Sequence, residues 1–373
     1  MKLKACGQSI WLDYIRRDLI TSGELRRLIK DDGLWGMTSN PSIFEKAIVG
    51  SQNYEKDIRA MAFEGQSSKM IYEFLSQRDV RAAADEFRPV YDQTDARDGY
   101  VSLEVNPHLA HDTKGTIVEA RRLWRALNRP NVFIKVPATA EGLPVIQQLI
   151  SEGINVNITL LFGLPRYRQV AAAYIAGIDA RLAKGQQVEH VASVASFFVS
   201  RIDSLVDPIL EKVVGGEADV AKKLRGQVAT ASATMAYQSY KAIFESKKFQ
   251  KLASRGARVQ RLLWASTSTK NPTYSDLKYV ESLIGPNTIN TLTLETMAAY
   301  RSHGEPKARL DQDVEQAGWV LQRLRKIGIN IDKVTQQLED EGVEKFIQAF
   351  DLLMNTLKER RAVTMRVSAR GRV

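Results

Sequence analysis

Asn131-Val132-Phe133-Ile134-Lys135-Val136-Pro137-Ala138-Thr139 is the stretch on which the fold assignment turns. Its β-branched and aromatic core predicts a strand over 132–136, and a strand this apolar is buried on both faces, as in a parallel sheet. A lysine near its end is therefore unexpected. Burial disfavours the ammonium form and lowers the pKa, which makes a lysine an amine able to attack a carbonyl. The plainer alternative is a strand-end lysine whose long stem snorkels to water.

Outward from this stretch the same unit recurs, a short apolar strand followed by a longer amphipathic segment. Strands are predicted over 9–15, 36–39, 100–105, 132–136, 155–161, 190–196, 261–266 and 288–291. Helical spacing predicts helices over 116–127, with Ile117, Ala120, Leu123, Trp124 and Leu127 on one side, over 166–184, and over 218–246. Eight strands alternating with helices predict an α/β fold, a parallel sheet closed into a single (β/α)8 TIM barrel. A doubly wound open sheet competes, but its Gly-x-Gly-x-x-Gly turn after the first strand is absent.

No internal repeat, low-complexity segment or Pro/Gly/Ser-rich linker divides the chain, so residues 1–373 are expected to form one domain. Two regions stand outside the alternation. Residues 52–93 read as a helical insert after the second strand, with helices over 52–63 and 67–93. Segments 311–326 and 331–358 read as two C-terminal amphipathic helices that decorate the barrel or cover its mouth, followed by a basic tail, 359–373.

Composition narrows the function. The chain is 44% hydrophobic and 26% charged, as ordinary globular proteins are. One cysteine, Cys6, rules out an intramolecular disulfide. No apolar run follows the basic start Met1-Lys2-Leu3-Lys4-Ala5, and none approaches a membrane span, so a cytoplasmic protein without membrane contact is expected. The 53 Lys and Arg against 43 Asp and Glu give a formal charge of +10, which suits nucleic acid or an anionic small substrate. Distribution decides between them. The cluster Lys358, Arg360, Arg361, Arg366, Arg370 and Arg372 is terminal, and without it and Glu359 the charge falls to about +5. A solvated, fraying terminus is expected rather than a nucleic-acid arm.

In a barrel of this kind the chemistry sits at the C-terminal ends of the strands. Seven strands end in polar groups: Asp13; Thr38, Ser39 and Asn40; Glu104 and Asn106; Lys135; Asn157 and Thr159; Ser196, with Phe198 and Arg201 beyond; and Ser266 and Thr267, with Lys270 following. Singly, each has a structural explanation. Asp13 could cap a helix starting near Tyr14, Thr38 to Asn40 could form a turn before Pro41, and Ser266 could cap the next helix. Together they converge on one site.

A desolvated lysine condenses with a ketone to a Schiff base, which serves as an electron sink for cleaving a neighbouring carbon–carbon bond. Asp13 and Glu104 are suitable carboxylates for the accompanying proton transfers. Ionised and close, they would raise the pKa of Lys135 and oppose burial, so at least one should be protonated, water-bridged or distant. Arg201 and Lys270 with Ser266 form an anion clamp near the usual phosphate position of such barrels; two surface cations are the alternative. A phosphorylated ketone substrate follows. His108, His111, His190 and His303 show no metal-ligand spacing, and neither HExxH, a Gly-x-Ser-x-Gly elbow nor a Walker loop is present, so no metal or cofactor is expected.

The chain resembles the transaldolases, most closely their larger bacterial subfamily. The matching pieces are Trp11-Leu12-Asp13, Thr38-Ser39-Asn40-Pro41-Ser42-Ile43-Phe44, Val101-Ser102-Leu103-Glu104-Val105, Ile134-Lys135-Val136-Pro137-Ala138-Thr139, Asn157-Ile158-Thr159-Leu160-Leu161-Phe162, Ser196-Phe197-Phe198-Val199-Ser200-Arg201 and Trp264-Ala265-Ser266-Thr267. The resemblance implies a (β/α)8 barrel enzyme of the pentose phosphate pathway. Such an enzyme moves a dihydroxyacetone unit from sedoheptulose 7-phosphate or fructose 6-phosphate to glyceraldehyde 3-phosphate or erythrose 4-phosphate.

By the same resemblance Lys135 is the Schiff-base lysine and Asp13 the acid/base at the substrate hydroxyl. Glu104 and Thr159 hold the catalytic water, Asn40, Asn157 and Ser196 bind the dihydroxyacetone moiety, and Arg201 with Ser266 binds phosphate. One position departs from the better-known pattern: Ser268 stands where an arginine follows the phosphate-site serine, leaving Lys270 as the nearest cation. Phe198 is expected beside the substrate. The expected partners are sugar phosphates alone, bound by a monomer or homodimer. Two other functions compete: a class I aldolase that releases free dihydroxyacetone, and a barrel that binds nucleic acid through its basic tail.

Overall fold

Runs such as Val132-Phe133-Ile134 and Arg261-Leu262-Leu263-Trp264 become strands because the barrel buries both of their faces, one against the interior and one against surrounding helices. A computed structural model describes residues 2–370. Its strands are β1 (Gln8–Asp13), β2 (Gly36–Thr38), β3 (Tyr100–Glu104), β4 (Val132–Pro137), β5 (Val156–Leu161), β6 (Ser193–Phe198), β7 (Arg261–Ala265) and β8 (Thr288–Leu292). They form a closed barrel in chain order, every neighbouring pair parallel, with β8 returning to β1. The expected (β/α)8 architecture is what the chain adopts.

Strand alternation sorts the side chains into layers. At the N-terminal end of the barrel, Arg261 donates to Asp98, Ser9 Oγ and the Thr288 carbonyl, and Asp98 also accepts from Ser9 and Trp11. Above this polar floor, Trp11 stacks at 6.1 Å on Phe133. Gly36 makes room for that indole: a Cβ there would sit 2.5 Å from its ring. The next inward layer, two residues further along the strands, carries Asp13, Thr38, Glu104 and Lys135.

The insert and the C-terminal helices define the mouth. Ser67 caps the insert helix Ser68–Gln93 by accepting from the Met70 amide. That helix packs against β3, and its Tyr72 meets Phe350 of the C-terminal helix edge-on at 5.4 Å. The C-terminal helix, Ile331–Arg370, packs over β5 and against helix Ser200–Leu210, with Gly342 against Leu160, where a Cβ would lie 2.9 Å from Cδ2.

Three expectations about elements need correction. The helix expected over 218–246 is two, Ala218–Leu224 and Val228–Phe244, broken at Gly226, whose φ of +68° is left-handed and whose amide donates to Asp207. The sixth strand lies later than expected, so Phe198 is its last residue and not beyond it. The tail does not begin at 359. The last helix continues to Arg370, because Arg360 donates to the carbonyls of Ile48 and Val49 at the C-terminal end of helix Pro41–Val49, where a cation is favoured. Arg361 likewise bonds the Gly65 carbonyl, and residues 371–373 lie outside the described residues.

Candidate active site

Lys135 is 3% exposed, in the inward layer of β4 beside Glu104 of β3 and Asn157 of β5. Its ammonium does not snorkel. Nζ donates to the Ser39 carbonyl at 3.0 Å and lies 3.2 Å from Glu104 Oε2. The second contact is ionic without hydrogen-bond alignment, leaving Glu104 Oε2 with no donor. Burial pushes the Glu104 carboxyl up to about 7 against the opposing pull of Lys135, with Asp13 adding a smaller upward push. Near neutral pH the Glu104 carboxyl therefore both takes up and releases a proton, within 3.2 Å of the Lys135 nitrogen.

Asp13 ends β1 and accepts from Thr38 Oγ1 at 2.7 Å, and Thr38 Oγ1 also lies 2.8 Å from Thr291 Oγ1. It caps no helix: the next one begins at Arg17 and has Arg16 at its N-cap position. Burial raises the Asp13 carboxyl, while Lys135, the Thr38 hydroxyl and Arg201 pull it back. Asn40 does cap helix Pro41–Val49 through Oδ1, which accepts from Ile43 N at 3.0 Å. The cap fixes the amide and frees Nδ2 for the cavity that Asn40 lines.

That cavity, about 120 Å³, opens at the C-terminal end of the barrel and is lined by Asp13, Asn40, Lys135, Ser196, Phe198 and Arg201, with Ser266, Ser268 and Lys270 on the far side. Asn157 and Thr159 sit fully buried one step behind it. Asn157 receives the Ser196 hydroxyl at 2.7 Å and donates to Ser102, so it fixes Ser196. Thr159 Oγ1, like Glu104 Oε2, has no hydrogen-bond partner among the described residues. A register shift in β5 between Ile158 and Leu161, with Leu160 at φ +56°, re-aims the chain at this point.

On the far wall, Arg201 stands over the Phe198 ring at 5.0 Å, and Phe198 packs on Phe162. No carboxylate forms an ion pair with Arg201 among the described residues, and burial lowers its pKa, so its charge is poorly compensated. Ser266 is no helix cap; it holds a left-handed φ of +54° and its Oγ lies 3.1 Å from Ser200 Oγ. Ser268 shares its hydroxyl with Thr296 at 2.9 Å, and Lys270 lines the cavity from an exposed position.

Sequence reasoning missed two walls. Thr291 is the penultimate residue of the eighth strand, and its place at the end of the expected strand 288–291 was a usable signal. Phe346, 3% exposed, comes from the C-terminal helix and puts its ring centroid 5.8 Å from Lys135 Nζ. Only the expectation that this helix covers the mouth pointed toward it. A larger cavity, about 320 Å³, lies at the opposite end of the barrel. It contains no lysine–carboxylate pair, so the chemistry selects the smaller one.

A buried lysine 3.2 Å from a carboxyl thus stands at the C-terminal end of a parallel barrel. A family model described as transaldolase/fructose-6-phosphate aldolase matches residues 10–357. The chain belongs to that family. It is 48% identical to the transaldolase of Trichodesmium erythraeum over 96% of this chain and 97% of that one. It is also 48% identical to transaldolase 2 of a Nostoc species, over 96% of each chain, and 44% to the transaldolase of Saccharopolyspora erythraea, over 96% of each. The family consists of enzymes acting on sugar phosphates, and among the described residues no helix is long and apolar enough to cross a membrane.

Proposed function

We propose that this protein is a transaldolase that passes a dihydroxyacetone unit from sedoheptulose 7-phosphate or fructose 6-phosphate to glyceraldehyde 3-phosphate or erythrose 4-phosphate. The observation that carries the reading is the buried Lys135 amine 3.2 Å from Glu104, whose carboxyl is pushed up to about 7. Lys135 adds to the ketose carbonyl, and Glu104 takes the proton that the nitrogen must lose. The carbinolamine then expels water. Thr159 Oγ1 and Glu104 Oε2, both buried and without a hydrogen bond, are suited to hold that water.

Asp13 accepts the proton of the substrate hydroxyl. The carbon–carbon bond breaks, the aldose phosphate leaves as an aldehyde, and the electron pair stays as an enamine on Lys135. The acceptor aldehyde reverses these steps: the enamine carbon attacks it, Asp13 returns the proton, and water frees the new ketose. Asn40 Nδ2 and Ser196 bind the three-carbon unit, with Asn157 behind Ser196. Arg201, Ser266 and Lys270 hold phosphate, the guanidinium as a fork and the ammonium as a point charge. Phe198 supports Arg201 from beneath. The reading places the enzyme in the cytoplasm, as a monomer or homodimer.

The Phe346 roof favours transfer over simple aldol cleavage, because an enamine survives until an acceptor arrives only if water is kept from it. Turnover of fructose 6-phosphate with and without erythrose 4-phosphate tests this. Transfer predicts that turnover depends on the acceptor; equal turnover without it overturns the proposal in favour of an aldolase.

A further inference from the structure

The cavity at the N-terminal end of the barrel is built for an anion. It lies among the loops entering β3, β7 and β8, as far from Lys135 as the strands allow, and its walls include Arg97, Arg258 and Arg261. Arg261 is 6% exposed and its charge is met by Asp98, yet its Nε has no partner. Arg97 bonds only a neutral acceptor, Asn287 Oδ1 at 2.7 Å, and forms no ion pair among the described residues. Arg258 donates to the carbonyls of Glu189 and Asp95 and pairs with the Asp95 carboxylate at 3.1 Å, but that side chain is 93% exposed. A rim pair of that kind contributes little and is readily exchanged for another anion.

Backbone strain marks the same place. Six non-glycine residues take a positive φ among the described residues. Asn128 ends a helix, and Leu160 and Ser266 belong to the catalytic end. The other three, Asp95, Ala96 and Asn287, all line this cavity. Strain gathered at a cleft is a mark of function rather than of packing. Tyr100 and Phe133, stacked at 4.3 Å, form an apolar back wall.

We propose that this cavity binds a phosphate dianion, free or carried by a small ester, between Arg97 and Arg258. Two guanidinium groups, Arg97 without a carboxylate partner and Arg258 fixed by two carbonyls with one exposed carboxylate to exchange, match a charge of two. A volume of about 320 Å³ is at the small end of ligand pockets, which suits an ester of a few carbons and excludes a dinucleotide.

The test uses the full chain carrying Arg201→Ala, which weakens the phosphate position at the catalytic end, and inorganic phosphate as probe in isothermal titration. One site is expected to remain. Adding Arg97→Ala, an exposed side chain whose loss leaves the barrel floor intact, should weaken it about ten-fold or more, and Arg258→Ala should do the same. Arg97→Ala alone should leave kcat and KM for the ketose unchanged. Glycerol 1-phosphate, titrated alongside, distinguishes the sources: tighter binding than phosphate assigns an ester, equal binding the free ion. Absence of a site in the Arg201→Ala protein, or an affinity unmoved by Arg97→Ala and Arg258→Ala, overturns the proposal.

Discussion

Replacing Glu104 by Gln should change how stability depends on pH, not merely its level. In the folded protein burial holds the Glu104 carboxyl at about 7, against 4.5 for the ordinary side chain. Between those values the folded state keeps a proton that the unfolded state releases, so stability is greatest below 4.5 and declines as pH rises toward 7. At about 1.4 kcal/mol per pH unit for one proton, the wild-type protein loses about 3 kcal/mol across that window through this group. Above 7 the loss is complete. Gln keeps the shape and cannot titrate, so its stability lacks this decline. Urea unfolding at half-unit steps from pH 4.5 to 8, for both proteins, yields the two slopes, and other titrating groups cancel in the difference. A difference near zero across the window would show that Glu104 titrates at its ordinary value when folded and refute the burial-raised carboxyl.

Three further outcomes follow from the same geometry. Arg201→Ala should raise KM for fructose 6-phosphate by about 10- to 100-fold with little change for unphosphorylated fructose, whereas Lys270→Ala, at an exposed position, should raise it by less than about five-fold; steady-state kinetics on both sugars checks this. Phe346→Ala should increase the free dihydroxyacetone released per transfer event, since the ring that shields Lys135 is gone; chromatographic product analysis would detect it. Gly36→Ala puts a methyl 2.5 Å from the Trp11 ring and should destabilise the fold by about 1–3 kcal/mol, read as a lowered Tm.

The barrel was legible because its strands are buried on both faces, which writes them as short β-branched and aromatic runs that little else resembles. The candidate site was legible for a related reason: Asp13, Glu104 and Lys135 are charges in apolar strands, and such charges need an explanation. What escaped depends on contacts across long stretches of sequence. The break at Gly226 follows from its amide meeting Asp207, and the helix past residue 358 from Arg360 reaching Ile48 and Val49. Phe346 reads as one apolar position among several on an amphipathic helix. Only the docking of that helix over β5 places its ring beside Lys135. The arginines of the N-terminal cavity were invisible for the same reason, since loops entering different strands bring them together.

The central claim is that the Lys135 amine forms the covalent link to the ketose. Borohydride reduction in the presence of fructose 6-phosphate, followed by peptide mass analysis, tests it most directly. The account predicts a single reduced three-carbon adduct on the peptide carrying Lys135, lost in a Lys135→Met protein. An adduct on another lysine, or undiminished turnover with no adduct, would contradict it.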